Sequence, residues 1–361
     1  MAAFGVVLYH LNLAVGLTFE NWLHPSIQWA FEQGFLGVDI FFVLSGFVIP
    51  FSVRNSDLTA GFLGRFALRR SLRLDPPYWT AIGVEVLLMW LGVRLGLAAA
   101  EYPSWPQFLS HLVYAQNIVG QGDIIGVFWT LAFEIQFYLG LIALLVGGRW
   151  LKLRLGEVPT RWIATVVFTG LFVVSVLGRY HVLGINIHPG FALIRWFQFF
   201  MGTCVYWVVT RRISWKALAT MWIFLAAVLV IERQSVLQLT PVVTSALLWW
   251  SYERDGMATV LSNRIVQFFG TISYSLYLFH EPVGWRWIRL VGAFISPDSP
   301  VAIVVAVFGS GCVVAVAVSW ALWRLIEVPS MRFSKRVGLP RRRPSASDAH
   351  SGGVNQASAT T

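Results

Sequence analysis

Residues 128–146 read FWTLAFEIQFYLGLIALLV, a stretch long and apolar enough to cross a bilayer as one helix. Glu134 lies near the middle of this stretch, among aromatic and aliphatic neighbours. Placing a charged side chain in hydrocarbon costs roughly 3 kcal/mol, so such residues usually face a protein interior or a water-filled cavity and have a polar partner. The sequence therefore predicts a membrane helix in which Glu134 belongs to a functional site.

The composition of the 361-residue chain predicts an all-α, polytopic membrane helix bundle. Hydrophobic residues make up 57% and charged residues only 12%, with a mean hydropathy of +0.67, which excludes an ordinary soluble domain. The 18 Trp and 10 Tyr suit aromatic belts at two membrane interfaces. Cys204 and Cys312 lie in apolar runs, so no disulfide framework is expected. The first apolar stretch lacks the basic residues that begin a cleavable signal peptide.

Windows of about twenty residues predict about ten membrane spans. Their approximate bounds are 2–19, 35–54, 77–98, 124–147, 161–180, 190–210, 214–232, 237–252, 265–290 and 300–326. Residues 105–118 are too short and polar to span and are interpreted as interfacial or re-entrant. Of the 27 Lys and Arg, 21 lie on the side of the C-terminus in this layout. The positive-inside rule then places both termini in the cytoplasm, and it explains the net charge of +10 without nucleic-acid binding.

The C-terminal residues differ in composition from the rest of the chain. From Arg341 onward they read RRRPSASDAHSGGVNQASATT, which is polar and rich in Ser and Ala. Such a composition is typical of a disordered tail. We therefore predict a transmembrane domain over residues 1–330 and a basic, disordered cytoplasmic tail over residues 331–361.

Polar residues interrupt the first two predicted spans. His10, in VVLYHLN, lies within the first span, where a histidine is either a packing residue or a catalytic one. In LGVDIFFVLSGFVI of the second span, Asp39 and Gly46 share one helical face with Phe42 or Val43. A glycine one or two turns after a carboxylate permits the close approach of another helix or of substrate. The alternative interpretation is that Gly46 is only a small-residue packing contact.

Arginines cluster in the predicted cytoplasmic stretch GRFALRRSLRLDPPYW. Arg65, Arg69 and Arg73 recur every four residues, so a helix would place them in one row with Arg70 beside it; we name these four residues the arginine stripe. Guanidinium groups bind phosphate oxygens in bidentate fashion, which suits a ligand with several phosphates. The alternative is the positive-inside bias together with anionic lipid headgroups. The two prolines are expected to end the stripe and begin the next span.

A row of polar side chains occurs in TISYSLYLFHEPVGW of the ninth span. Ser273, Tyr277, His280 and the following glycine fall on one helical face, so a hydroxyl, a phenol and an imidazole line one side of a membrane helix. Hydrogen bonding between helices explains any one of them, but explains the whole row less well. At the end of the tenth span, Arg324 and Glu327 are i, i+3 neighbours and are expected to form a structural ion pair.

Five motifs together resemble the integral-membrane acyltransferase 3 family. They come in the family's order: FFVLSGFVI, LRLDPPYW, FWTLAFEIQFYL, SYSLYLFHEPV and IEVP. The resemblance implies a ten-helix enzyme that moves an acyl group, most often acetyl, from cytoplasmic acyl-CoA to a hydroxyl of a sugar or similar acceptor, often at the extracytoplasmic face. It implies acyl-CoA as the donor substrate, a carbohydrate or lipid-linked glycan as the acceptor, and contact with membrane lipids. No permanently bound cofactor and no metal are expected, and the implied location is the bacterial inner membrane.

The resemblance also implies catalytic roles for three residues. His10 matches the family's catalytic histidine and would deprotonate the acceptor hydroxyl. Glu134 or Asp39 would fix the tautomer of His10 and stabilise the imidazolium. The arginine that the family has before this histidine would fall just before Met1, so we expect that the start of the chain is assigned too late.

Donor and acceptor residues follow from the same resemblance. The arginine stripe would hold the phosphates of coenzyme A at the cytoplasmic mouth, joined by Arg195 of the sixth span, and Tyr277 and His280 would lie on the acceptor side.

A transporter or flippase of an envelope-polysaccharide pathway is the alternative function, because intramembrane Glu and His also build proton relays. Carriers tend to have paired broken helices related by internal symmetry, and the sequence has no evident pairing of that kind.

Overall fold

The computed structural model describes residues 2–16, 19, 24–97, 101–254, 262–296 and 298–340, and every regular element in these ranges is a helix. The α-helices are α1 (Ala2–Gly16), α2 (Pro25–Glu32), α3 (Gly37–Ser52), α4 (Ala60–Arg94), α5 (Trp105–Leu112), α6 (Phe128–Leu155), α7 (Glu157–Arg179), α8 (Trp196–Val209), α9 (Trp215–Ile231), α10 (Thr240–Glu253), α11 (Arg264–Thr271), α12 (Ser273–Phe279), α13 (Arg286–Gly292), α14 (Val301–Leu322) and α15 (Val328–Ser334). Two π-helical turns follow α12 and α14, over His280–Trp285 and Trp323–Glu327.

Five helical stretches in the described part of the chain are long and apolar enough to cross a membrane. They are Pro25–Ser52, Phe128–Leu155, Glu157–Arg179, Ala192–Val209 and Val301–Ser334. Ala2–Gly16 and Trp215–Ile231 are apolar but shorter. Residues 105–118 form only the short helix α5 followed by turns. The predicted class, an all-helical membrane bundle, is thus confirmed.

Helices α3 and α8 meet closely through glycine. A Cβ atom at Gly46 would lie 1.7 Å from the carbonyl oxygen of Phe199, and one at Gly202 would lie 1.9 Å from that of Val43. The hydroxyl of Thr203 donates a hydrogen bond to the Gly46 carbonyl at 2.8 Å. Gly46 is therefore a small-residue packing contact between α3 and α8, as in the second of the two interpretations.

Helix α4 continues through its prolines, so the prediction that they end the arginine stripe is wrong. Pro76 and Pro77 both lie inside Ala60–Arg94. Proline cannot donate to the carbonyl four residues earlier and normally kinks or ends a helix. Here Tyr78 is fully buried and the Thr80 hydroxyl bonds the Pro76 carbonyl at 2.7 Å, so tertiary packing outweighs the local preference. The arginine stripe and the span after it form one helix.

Glu327 does not pair with Arg324, contrary to the prediction. Its carboxylate is 3% exposed and accepts a hydrogen bond from Ser275 Oγ at 2.6 Å. Both residues lie in the second π-helical turn, and its wider turn removes the i, i+3 alignment on which the prediction rests. The carboxylate consequently contacts α12 instead of its own helix.

The chain after α14 packs back onto the N-terminal half of α4. Ser334 of α15 is buried, and the Pro340 carbonyl accepts a hydrogen bond from the Asp57 backbone N–H at 2.8 Å. Residues 341–361, most of the predicted disordered tail, lie outside the described residues. The predicted division at residue 330 stays a prediction.

Candidate active site

Three residues of the arginine stripe form one wall of a cavity of ≈ 200 Å³ between α4 and the C-terminal segment, which we name the basic cavity. Arg69, Arg70 and Arg73 line it, and Lys335 lies on the opposite wall. Arg65 is exposed and is not part of this lining. The remaining lining residues are Ser52, Phe66, Met331, Ser334 and Leu339. Four cationic side chains around one cavity make a site for an anion with several negative groups.

A second cavity of ≈ 180 Å³, the inner cavity, lies between α3, α4, α6 and α12. Glu134 is on its wall and accepts a hydrogen bond from Ser45 Oγ at 2.7 Å. Arg70 and Arg73 line both cavities and therefore lie where the two spaces meet. The other lining residues are Val38, Phe41, Phe42, Leu74, Thr130, Leu131, Tyr138, Ser273, Tyr274 and Tyr277. This lining is mostly apolar and aromatic apart from one carboxylate, two cations and several hydroxyls.

Tyr277 lies on the wall of the inner cavity and also contacts His280. Its hydroxyl hydrogen-bonds Thr130 Oγ1 at 2.7 Å and donates to the Val127 carbonyl at 3.3 Å. Its ring contacts the imidazole of His280, with ring centroids 5.9 Å apart. The wall of the inner cavity is thereby joined directly to His280.

His10 of α1 and His280 form a side-chain pair. His10 Nδ1 lies 3.1 Å from His280 Nε2 and 3.0 Å from the carbonyl oxygen of Val6. His280 is fully buried, and its Nδ1 lies 3.1 Å from the Leu276 carbonyl oxygen and 2.8 Å from that of Tyr277. It begins the π-helical turn after α12, and such turns are frequent at functional sites. The structure thus brings together Tyr277 of α12, His280 of the π-helical turn and the candidate base.

Neither Glu134 nor Asp39 contacts His10 in the described part of the chain, although one of them was expected to orient it. Glu134 extends from α6 towards α3 and the inner cavity, and Asp39 extends from α3 towards α8. Asp39 Oδ1 accepts hydrogen bonds from Arg195 Nη1 at 3.3 Å and from Gln198 Nε2 at 2.8 Å. His10 instead faces the π-helical turn, because α1 packs on α12, α13 and α14.

Arg195 lies apart from the arginine stripe. Its partner Asp39 is in the first turn of α3, whereas Ser52, the last residue of α3, lines the basic cavity. At 1.5 Å per residue these two ends of α3 are about 20 Å apart. The guanidinium of Arg195 lies over the ring of Trp129, 5.7 Å from its centroid. The contact that the structure shows for Arg195 is an ion pair with the buried carboxylate of Asp39.

Lys335, Ser45 and Tyr274 are among the cavity residues that were not predicted. Lys335 falls in the segment that was assigned to the tail, and its cluster with Arg332 and Arg336 was attributed to topology. Ser45 is a lone hydroxyl in FFVLSGFVI, and its position three residues from Phe42 could have placed it on the cavity face. Tyr274 donates to the Leu74 carbonyl at 2.9 Å, a long-range contact that no local pattern indicates.

Comparison with known proteins relates nearly the whole chain to acyltransferases. The family profile described as "Acyltransferase domain" matches residues 1–324. Nodulation protein 10 of Rhizobium leguminosarum bv. viciae is 27% identical over 369 residues, covering 90% of this chain and 90% of that protein. Acyltransferase MdmB of Streptomyces mycarofaciens is 24% identical, covering 87% and 84%. Peptidoglycan O-acetyltransferase OatA of Listeria monocytogenes is 32% identical over 166 residues, covering 42% and 24%. No solved structure matches the chain.

Proposed function

The chain belongs to the integral-membrane acyltransferase 3 family, and we propose that it moves an acyl group, acetyl in particular, from cytoplasmic acyl-CoA to a hydroxyl of a polysaccharide. As a member of this family it is an acyltransferase. The observation that supports the donor and the direction of transfer is the order of the site: the basic cavity, the inner cavity, Tyr277, and then the His280–His10 pair.

The proposed topology has about ten spans with both termini in the cytoplasm. It is supported by the five apolar helices of membrane length and by the excess of Lys and Arg on one side of the layout. In this topology the basic cavity opens to the cytoplasm, and the His280–His10 pair lies towards the external half of the membrane. Residues 1–330 form the transmembrane acyltransferase domain and residues 331–361 the basic cytoplasmic tail, whose first residues complete the basic cavity. The membrane is the bacterial inner membrane.

The proposed donor site uses the two cavities in sequence. The phosphates of coenzyme A bind Arg69, Arg70, Arg73 and Lys335 in the basic cavity, because guanidinium groups engage phosphate oxygens in bidentate fashion. The thioester end passes Arg70 and Arg73 into the inner cavity, whose apolar and aromatic lining suits the pantetheine arm and a short acyl group. Glu134 offsets the charge of these two arginines from the facing wall. Arg65 contributes only long-range attraction, and Arg195 serves the fold.

His10 is the proposed general base. An acceptor hydroxyl donates a hydrogen bond to its Nε2, and as the hydroxyl oxygen attacks the thioester carbonyl carbon, the proton moves to His10. The carbon–sulfur bond then breaks, and the sulfur of coenzyme A takes the proton from the imidazolium. The products are an ester and free coenzyme A, so the base is regenerated in each cycle.

Polysaccharide is the proposed class of acceptor. The support is the name of one relative, a peptidoglycan O-acetyltransferase, together with the family resemblance of the motifs. A lipid-linked glycan in the same membrane presents the same hydroxyl chemistry and belongs to the same proposal. Membership of an acyltransferase family favours this function over the carrier alternative.

The proposal is tested by acetyl transfer in isolated membranes. Membranes that contain the wild-type protein are incubated with acetyl-CoA carrying a radiolabelled acetyl group, and label is measured in the polysaccharide fraction. His10→Ala is expected to reduce the transfer rate about 10²- to 10⁴-fold, the usual contribution of a general base, at an unchanged protein level.

The matched control for this test is His181→Ala. His181 is exposed and hydrogen-bonds Asn186 away from the cavities, so this variant should retain the wild-type rate. Absence of any acetyl transfer by the wild-type membranes would overturn the proposed function. Full activity of His10→Ala would overturn the assignment of the base alone.

A further inference from the structure

The two imidazoles of the site have their hydrogen positions fixed by the backbone. His280 Nδ1 lies within 3.1 Å of the carbonyl oxygens of Leu276 and Tyr277, and a carbonyl oxygen can only accept. His280 Nδ1 therefore carries a hydrogen. In a neutral imidazole the other nitrogen then has a free lone pair, so His280 Nε2 is an acceptor directed at His10.

His10 is constrained in the same way from its own helix. Its Nδ1 lies 3.0 Å from the Val6 carbonyl oxygen, which again requires a hydrogen on Nδ1. That hydrogen is shared between the Val6 carbonyl and His280 Nε2, 3.1 Å away. The remaining nitrogen, His10 Nε2, keeps its lone pair, and this is the atom that a general base needs.

We infer that His280 is the positioning residue of the catalytic base: its Nε2 accepts the Nδ1 hydrogen of His10, fixes that tautomer and stabilises the imidazolium formed during acyl transfer. The inference rests on the proposed function and deepens it. It assigns to a second, neutral histidine the task that was predicted for Glu134 or Asp39. The chain of hydrogen bonds runs from the carbonyls at the end of α12 through His280 to His10.

The three carboxylates considered for this role each have another partner in the described residues. Glu134 accepts from Ser45, and Asp39 is engaged by Arg195 and Gln198. Glu281, which follows His280 in the sequence, accepts a hydrogen bond from the Gly126 backbone N–H at 3.2 Å.

The positions of the hydrogens during the transfer follow from this arrangement. When His10 Nε2 takes the proton of the acceptor hydroxyl, both of its nitrogens carry hydrogen, and the Nδ1–H remains bonded to His280 Nε2. A hydrogen bond from a charged donor is about twice as strong as a neutral one. His280 thus stabilises His10 more once the imidazolium forms, which raises the rate without affecting donor binding.

Two amide replacements of His280 separate positioning from packing. The side-chain amide of Gln reaches approximately the place of His Nε2, whereas that of Asn reaches only the place of Nδ1. His280→Gln therefore keeps an acceptor for His10, while His280→Asn keeps only the bond to the carbonyls of α12. Both proteins are quantified in membranes, and kcat and KM for acetyl-CoA are measured by transfer of radiolabelled acetyl to the polysaccharide fraction.

We expect the two variants to differ in kcat. His280→Asn should lower kcat about 10- to 100-fold with KM for acetyl-CoA unchanged, the effect of losing one hydrogen bond to a charged group. His280→Gln should recover most of that loss. Adding His280→Asn to His10→Ala should cause little further loss, because the two residues act as one unit.

Other outcomes would overturn the inference and leave the proposed function standing. Equal kcat in His280→Asn and the wild type would show that His10 needs no such partner. Equal losses in the Asn and Gln variants at equal protein levels would assign His280 to packing. A loss in the double variant equal to the product of the single losses would show independent action.

Discussion

Asp39 and Glu134 are both carboxylates within apolar helices, yet the structure gives them opposite surroundings. Asp39 is buried against Arg195, on the side of α3 that packs against α8. Glu134 accepts its hydrogen bond from a neutral partner, Ser45, and faces the inner cavity, which Arg70 and Arg73 also line. A buried charge with an ionic partner serves packing, and a charge that faces a cavity is available to a ligand.

The two carboxylates mark two regions that meet along α3. The closed region is the α3–α8 contact, where Gly46 and Gly202 leave no room for a Cβ atom. The open region is the pair of cavities along the neighbouring face of α3. Rigid packing on one side holds the cavity-facing side chains of α3 in place, which is what a binding site on helices requires.

The largest expected effect separates the two carboxylates directly. Asp39→Leu leaves the guanidinium of Arg195 without its ionic partner, and breaking a buried pair in this way costs about 3 kcal/mol. Thermal unfolding of the detergent-solubilised protein measures this loss. Adding Arg195→Met should restore much of it, since the unpaired charge is then removed. A stable Asp39→Leu protein would contradict the assignment of Asp39 to packing.

The glycine contact provides a second test of the closed region. Gly46→Ala places a methyl group 1.7 Å from a carbonyl oxygen of α8 and should destabilise the protein by about 2 kcal/mol. Gly83→Ala is the control, because nothing lies within 4 Å of the added atom, and alanine in a helix should be neutral or stabilising by about 0.5 kcal/mol. Equal unfolding temperatures for the two variants would contradict close packing of α3 on α8.

The open region is tested by two arginines of one helix. Arg69→Ala should raise KM for acetyl-CoA about tenfold, because it removes a phosphate contact from the basic cavity. Arg65→Ala removes the same charge one turn earlier, outside the cavity lining, and should change KM less than about twofold. Equal effects of the two substitutions on initial-rate kinetics would attribute the arginine stripe to topology and lipid headgroups.

The smallest expected effect on stability belongs to Glu134. Glu134→Gln keeps a carbonyl oxygen that can accept from Ser45, so the free energy of unfolding should change by less than about 1 kcal/mol. Thermal unfolding beside Asp39→Leu completes the comparison of the two carboxylates. A loss as large as that of Asp39→Leu would place Glu134 in the packing of the bundle.

The sequence predicts well what depends on composition and helical period. Hydropathy predicts the helical membrane class, and the four-residue spacing predicts the row formed by Arg69 and Arg73. The period also brings Tyr277 and His280 to neighbouring positions, and the structure finds their rings in contact. These features are local, so they can be read within one helix.

The partners of the site residues could not be predicted, because they depend on contacts between distant segments. His10 and His280 are 270 residues apart, and Ser45 and Glu134 are 89 apart. Backbone irregularity adds a second limit: the π-helical turn that contains Glu327 breaks the i, i+3 rule that predicted its pairing. The sequence therefore identifies candidate site residues, but it does not identify their partners.

The central claim is that the acyl donor occupies the open region. An acyl-CoA analogue with a photoreactive diazirine in its acyl group tests this claim in membranes, with the labelled peptides mapped by mass spectrometry. The account predicts labelling of inner-cavity residues on α3, α6 and α12, such as Phe41, Leu131 and Tyr274, and competition by acetyl-CoA. Competable labelling confined to the surroundings of Arg195 would contradict it.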